Sequence, residues 1–126
     1  MQQYKFRAWH NKFKKMKVFT FNDITDSGNA WGIKIGLYFH DLFASLDDPN
    51  LKIMRYLGEN CLDINGKEYC EDDLVKLGGH HYIVMYDRCR YMLRAVVNKN
   101  CVLPLVCNMS KGKIVGNIHQ NPELIK

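Results

Sequence analysis

His81-Tyr82-Ile83-Val84-Met85-Tyr86 and Arg90-Tyr91-Met92-Leu93-Arg94-Ala95-Val96-Val97 flank a turn near Asp87-Arg88, and this stretch decides the fold. Both runs are rich in β-branched and aromatic residues, which suit a pleated and half-buried surface. Two such runs around a short polar turn read as an antiparallel hairpin. Upstream, Leu74 to Leu77 forms a strand that stops at Gly78-Gly79. Downstream, Val102 to Val106 and Lys113 to Ile118 add two more. Turn signals at this spacing point to a small antiparallel barrel of the SH3-like kind rather than an alternating α/β domain.

Before this block, Leu51 to Leu57 reads as a strand and Gly58 to Ile64 as a loop, with Asn65-Gly66 the turn of a hairpin. The expected form of that turn is type I′, in which both central residues take positive φ. Asp47-Asp48-Pro49-Asn50 marks a boundary between an N-terminal β segment, 1–49, and the barrel, 50–126. In the N-terminal segment, Lys5 to Trp9 and Met16 to Phe21 make a basic hairpin around the polar residues Asn11 to Lys15. Trp31, Ile33, Ile35, Leu37 and Phe39 alternate with Gly32, Lys34, Gly36 and Tyr38, so one face of that strand is buried. Gly32 and Gly36 leave room for another backbone. His40 to Leu46 is expected to make a helical turn. Asn121-Pro122-Glu123-Leu124 has the makings of a short terminal helix, with Asn121 as cap, Pro122 at the first helical position and Glu123 near the positive end of the dipole.

The chain has 126 residues, 47% of them apolar and 25% charged, which suits one small folded chain and excludes a wholly disordered one. No apolar run approaches the roughly 20 residues of a membrane span, and the basic, aromatic start lacks the apolar stretch of a secretory signal. Residence in the cytoplasm where the chain is made is the expectation. Cys61, Cys70, Cys89, Cys101 and Cys107 are an odd number without paired spacing, which favours reduced, packed thiols over a disulfide framework. His80 and His81 are adjacent and would point to opposite faces of a strand, so no metal site or cofactor is expected.

Charge is unevenly distributed along the chain. Residues 1–17 carry six bases and no acid, residues 41–73 nine acids against three bases, and residues 74–126 eight bases against two acids. The basic blocks can be neutralised by the acidic one, within the fold or between subunits, or can leave a face for phosphates. Glu68, Glu71, Asp72 and Asp73 cluster but lack the ligand spacing of a calcium loop. Ser27, Ser45 and Ser110 sit in no nucleophile elbow.

Three strings recur in one family: Lys5-Phe6-Arg7-Ala8-Trp9; Asn65-Gly66-Lys67-Glu68 leading to Glu71, Asp73, Leu74 and Val75; and Gly116-Asn117-Ile118 before Asn121-Pro122-Glu123-Leu124. In this ordered triple the chain resembles the YopX family of phage and prophage proteins. The resemblance implies a β-rich fold with an SH3-like barrel in the C-terminal half and supplies no catalytic residues. Against the family pattern, His10 stands where an acid often follows the opening string, and the loop before Asn65 is about two residues longer. Asp72 replaces a glycine, and Cys70 a common tyrosine. If position 72 needs a left-handed backbone, aspartate accommodates it at some cost.

The expected function is that of a non-enzymatic accessory module that forms a homo-oligomer or binds a host or phage protein. The alternative is a nucleic-acid-binding barrel. Its candidate residues are Lys5, Arg7 and Trp9 with Arg88, Arg90 and Arg94, the arginines lying beside Tyr82, Tyr86 and Tyr91 on a basic aromatic face. A small hydrolase built on carboxylates near Glu71 and Asp73 ranks third.

Overall fold

The computed structural model describes residues 4–26, 35–58, 60–87, 90–98, 100–105 and 110–125. The chain is mainly β, in antiparallel sheets, and divides into two compact units, Met1–Arg55 and Tyr56–Lys126.

In the first unit, β1 (Phe6–His10) and β2 (Lys15–Phe19) form the basic hairpin. β1 also pairs with β6 (Leu51–Arg55), giving the order β2-β1-β6. The strand beyond the Pro49 turn therefore belongs with the N-terminal hairpin. A second sheet contains β3 (Thr25–Asp26), β4 (Ile35–Phe39) and β5 (Leu42–Ser45). Phe6, Ala8 and His10 share one face of β1 because alternate side chains point the same way. Ala8 and Phe19 bury against Leu37, Phe39 and Ala44, with Phe6, Phe13, Ile24 and Leu51 around them.

Leu37 and Phe39 face inward as the alternation predicts, whereas Ile35 is exposed at the start of β4; Trp31, Ile33, Gly32 and Lys34 lie outside the described residues. Gly36 is needed where the strands meet, since a Cβ there would collide with the Ala44 carbonyl. The helical turn expected over His40 to Leu46 is replaced by a hairpin. Phe39 pairs with Leu42, leaving a two-residue loop in which His40 takes φ 60°, and Leu42 to Ser45 alternate as a strand.

The second unit is one five-stranded sheet. It contains β7 (Asp73–Leu77), β8 (His80–Asp87), β9 (Arg90–Ala95), β10 (Val102–Pro104) and β11 (Lys113–Asn117), in the order β10-β9-β8-β7-β11. These are the strands the sequence predicts. Among the described residues no pairing joins the edge strands β10 and β11, so the sheet is not a closed barrel. Val75, Tyr82, Val84, Leu93, Ala95 and Ile114 fill one face together with Tyr69 and Leu105.

Gly78 and Gly79, at φ 58° and 81°, make the two-residue β7–β8 turn. At Asn65-Gly66 the expected type I′ turn is not formed, because only Gly66 has positive φ, at 81°. Asp63 and Lys67 instead flank a three-residue loop closed by Gly66 N–H to Asp63 O at 3.0 Å and Asp63 N–H to Lys67 O at 2.8 Å. Pro122–Ile125 is a single 3-10 turn. Asn121 Oδ1 turns back to accept the Asn117 N–H at 3.2 Å rather than capping that turn. No helix among the described residues is long and apolar enough to cross a membrane.

Candidate functional site

Asp63 lies two residues before Asn65-Gly66, a position from which aspartate readily receives backbone N–H groups. Its Oδ1 accepts from Asn65 at 2.9 Å and Lys67 at 2.8 Å, and its Oδ2 accepts from Ile114 at 2.9 Å. Burial raises the carboxyl pKa, but the three N–H groups and the Lys67 charge outweigh it and hold Asp63 below its ordinary value. This carboxylate fastens the loop to edge strand β11 and has little accepting capacity left for a substrate.

The acidic run that follows is likewise built into turns. Asp73, almost fully buried, accepts the Cys70 N–H at 2.8 Å while its own N–H reaches the Cys70 carbonyl at 3.1 Å. Cys70 to Asp73 is thus a tight turn with Asp72 third, at φ 69°. A turn with positive φ at its third residue favours glycine, the residue that the resemblance implies at this position. Aspartate is accommodated here, and Asp72 Oδ2 meets His119 Nε2 at 2.9 Å. His119 belongs to the turn after β11. There Asn117 Oδ1 accepts the N–H groups of His119 and Gln120 at 3.0 and 2.8 Å. Gly116 leaves the space that the Asn121 side chain occupies. The Asn-Gly-Lys-Glu, Gly-Asn-Ile and Asn-Pro-Glu-Leu strings therefore meet as turns and clasps of one unit.

Burial holds two groups in this unit, one fully and one partly buried, in their neutral forms. Tyr69 is fully buried, and burial, aided by the charges of Asp63 and Asp73, pushes its hydroxyl up to about 12. Burial also raises the Cys61 thiol, which disfavours the nucleophilic thiolate. Among the described residues no group of three or more His, Cys, Asp or Glu side chains is placed to hold a metal ion.

In the first unit, buried His10 bridges two turns. Its Nδ1 accepts the Phe13 N–H at 3.1 Å, so Nε2 carries the proton donated to Asp48 at 2.9 Å. The ring stacks on Phe13 with centroids 3.7 Å apart. The hydrogen bond from His10 lowers the Asp48 carboxyl first, and the Asn50 N–H lowers it further.

The candidate nucleic-acid residues fall in both units, Lys5, Arg7 and Trp9 in the first and Arg90 and Arg94 in the second. Arg7 and Trp9 are buried, at 7% and 8% exposure, so the tryptophan offers no open ring for stacking. Lys5 is half-buried, and Arg88 lies outside the described residues. Arg90 and Arg94 share one face of β9, as their even separation requires. The register, Ile83 opposite Arg94 and Tyr82 opposite Ala95, puts Tyr82, Tyr86 and Tyr91 on the other face. The sequence reading set the tyrosines beside the arginines; strand pairing separates them.

Bases that the sequence reading did not single out do share the arginines' face. Lys113 lies opposite Lys76, and Lys76 opposite His81, forming a basic row across β11, β7 and β8. Arg94 is half-buried on the same face, and its Nε is buried without a hydrogen-bond partner among the described residues.

Comparison with known proteins agrees with the strings quoted above. The family model described as YopX protein matches residues 5–126. Among solved structures, protein EF1440 from Enterococcus faecalis is 22% identical with a TM-score of 0.60. Protein yopX from Bacillus subtilis is 14% identical, also with a TM-score of 0.60. Each comparison covers 100% of both chains, and at these identities the likeness is one of fold. No curated protein matches the chain.

Proposed function

The chain belongs to the YopX family, and we propose that it is a non-enzymatic, protein-binding or self-assembling accessory module of a phage or prophage, working in the cytoplasm of the host cell. The observation that carries this reading is the employment of the acidic residues. Asp63 holds three backbone N–H groups, Asp73 closes a turn, and Asp72 and Asp48 each hold a histidine. A carboxylate poised for acid–base work needs free reach to a substrate and a pKa near the working pH. Asp63 and Asp48 are shifted the other way. The open sheets also offer strand edges, which are ready templates for pairing with another chain.

A second reading, phosphate-backbone binding by an SH3-like sheet, is favoured by the row Lys113, Lys76 and His81 on the same face as Arg90 and Arg94. It differs from a base-stacking surface because the tyrosines point elsewhere.

Light scattering for mass, paired with DNA and RNA titrations at low and high salt, tests the proposal. A defined oligomer or a captured protein partner, with no salt-steep nucleic-acid binding, is the expected result. A monomer whose nucleic-acid affinity falls steeply as salt rises would overturn it in favour of the second reading.

A further inference from the structure

We infer that the outer edge of β2, Lys15–Phe19, docks an extended segment of a partner protein in which acidic and apolar residues alternate; this rests on the protein-binding reading above.

The sheet edges are not equivalent. β10 has three residues and ends in Pro104, which cannot donate to a ladder. On β11, side chains take two main-chain donors: Asp63 receives the Ile114 N–H and Asn121 the Asn117 N–H. β3 has two residues and β5 four, and neither carries a base. β6 is as long as β2, but its Lys52 and Arg55 are engaged in interactions of their own. β2 has five residues and no proline, and among the described residues it pairs with β1 alone. The side chains of its Lys15 and Lys17 have no hydrogen bond or ion pair among the described residues.

The side chains of β2 specify the occupant. Lys15 and Lys17 project on one face, Met16 and Val18 on the other. A strand added to this edge sets each of its residues opposite one of these, with Cβ atoms about 5 Å apart. Acids opposite the lysines and apolar residues opposite Met16 and Val18 satisfy both faces. Val18 is 53% exposed. Lys12 and Lys14 in the adjoining turn add charge of the same sign.

A second copy is the weaker occupant, because two of its three central registers oppose like charges and the third, Val18 against Val18, leaves both lysines without an acid. A two-fold axis perpendicular to the sheet pairs residues whose numbers sum to an even value. The full-length register therefore sets Lys17 against Lys17, and the next one toward the N-terminus sets Lys15 against Lys17. Like charges directly opposite are unfavourable, which is how edge lysines discourage self-pairing.

The test uses the full chain and a fluorescein-labelled ten-residue peptide of alternating Glu and Val, followed by anisotropy. Saturable binding is expected, weaker at high salt. It should fall about tenfold or more in the Lys15→Glu/Lys17→Glu chain, with circular dichroism confirming its fold. An alternately N-methylated peptide on the unaltered chain should lose binding similarly, because main-chain hydrogen bonding requires its N–H groups. No binding, equal binding by a peptide with its glutamates and valines in blocks, indifference to the charge reversal, or indifference to N-methylation would each overturn the assignment. So would a homodimer that the peptide displaces, which would make a second copy the occupant. If these fail while the chain still assembles or captures a protein elsewhere, β2 is wrong and the broader reading stands. Salt-steep nucleic-acid binding by a monomer would sink that reading itself.

Discussion

The Asp63 carboxylate accepts the main-chain N–H of Ile114 at 2.9 Å, across 51 positions of sequence. The same side chain receives the N–H groups of Asn65 and Lys67. A turn signal in the middle of the chain is thereby tied to the last strand of its sheet. A charged acceptor with three donors is among the stronger local contributions a small β unit can have.

Acid should weaken the fold through this residue and through Asp48. Both carboxyls lie below their ordinary values in the folded chain. Their contribution is therefore full above the unfolded pKa of about 4 and is lost as pH falls through the lower folded values. Urea midpoints measured from neutral pH downward should decline below about pH 4. The decline should be shallower in Asp63→Asn, whose side chain cannot titrate. An equal slope in both chains would contradict the assignment.

Gly116→Ala should cost about 1–3 kcal/mol, because the new methyl meets the Asn121 side chain. Combining it with Asn121→Ala should cost less than the sum of the two single changes, since the obstacle and the clasp are one group. Chemical denaturation of the three variants measures the coupling. Strict additivity would show that the two residues do not oppose each other.

Asp72→Gly should change stability by no more than about 1 kcal/mol, since release of the left-handed backbone offsets loss of the His119 contact. Asp72→Val should be worse than Asp72→Gly by about 1–2 kcal/mol, as a β-branched residue tolerates positive φ poorly. Thermal melts of the pair decide this. Equal melting temperatures would mean that the turn had changed form.

The thiols should react in order of exposure. Cys101 is exposed, Cys70 is buried, and burial raises the pKa of half-buried Cys61. In alkylation followed by peptide mapping, Cys101 should be labelled well before Cys61 and Cys70. Early labelling of Cys61 would indicate an activated thiolate there.

Much of the sheet was legible because β8 and β9 carry their strand composition right up to a short turn, and Gly78-Gly79 marks the preceding one. The β5 strand was hidden because Leu42 to Ser45 is too short to show a period, and its turn uses His40 at a position where glycine would have been the signal. Separation of the tyrosines from the arginines depends on the register that sets Ile83 opposite Arg94, which no local pattern fixes. Asp63 could have been suspected from its place before Asn65-Gly66. Its bond to Ile114 could not, because that partner is created by the fold.

Thermal unfolding of Asp63→Ala is the most direct test of the claim that these acids serve the fold rather than a reaction. Leaving the Ile114, Asn65 and Lys67 N–H groups without their acceptor should destabilise the chain by about 2–4 kcal/mol, a clear drop in melting temperature. An unchanged or raised melting temperature, the usual result when a charge held for catalysis is removed, would contradict the account.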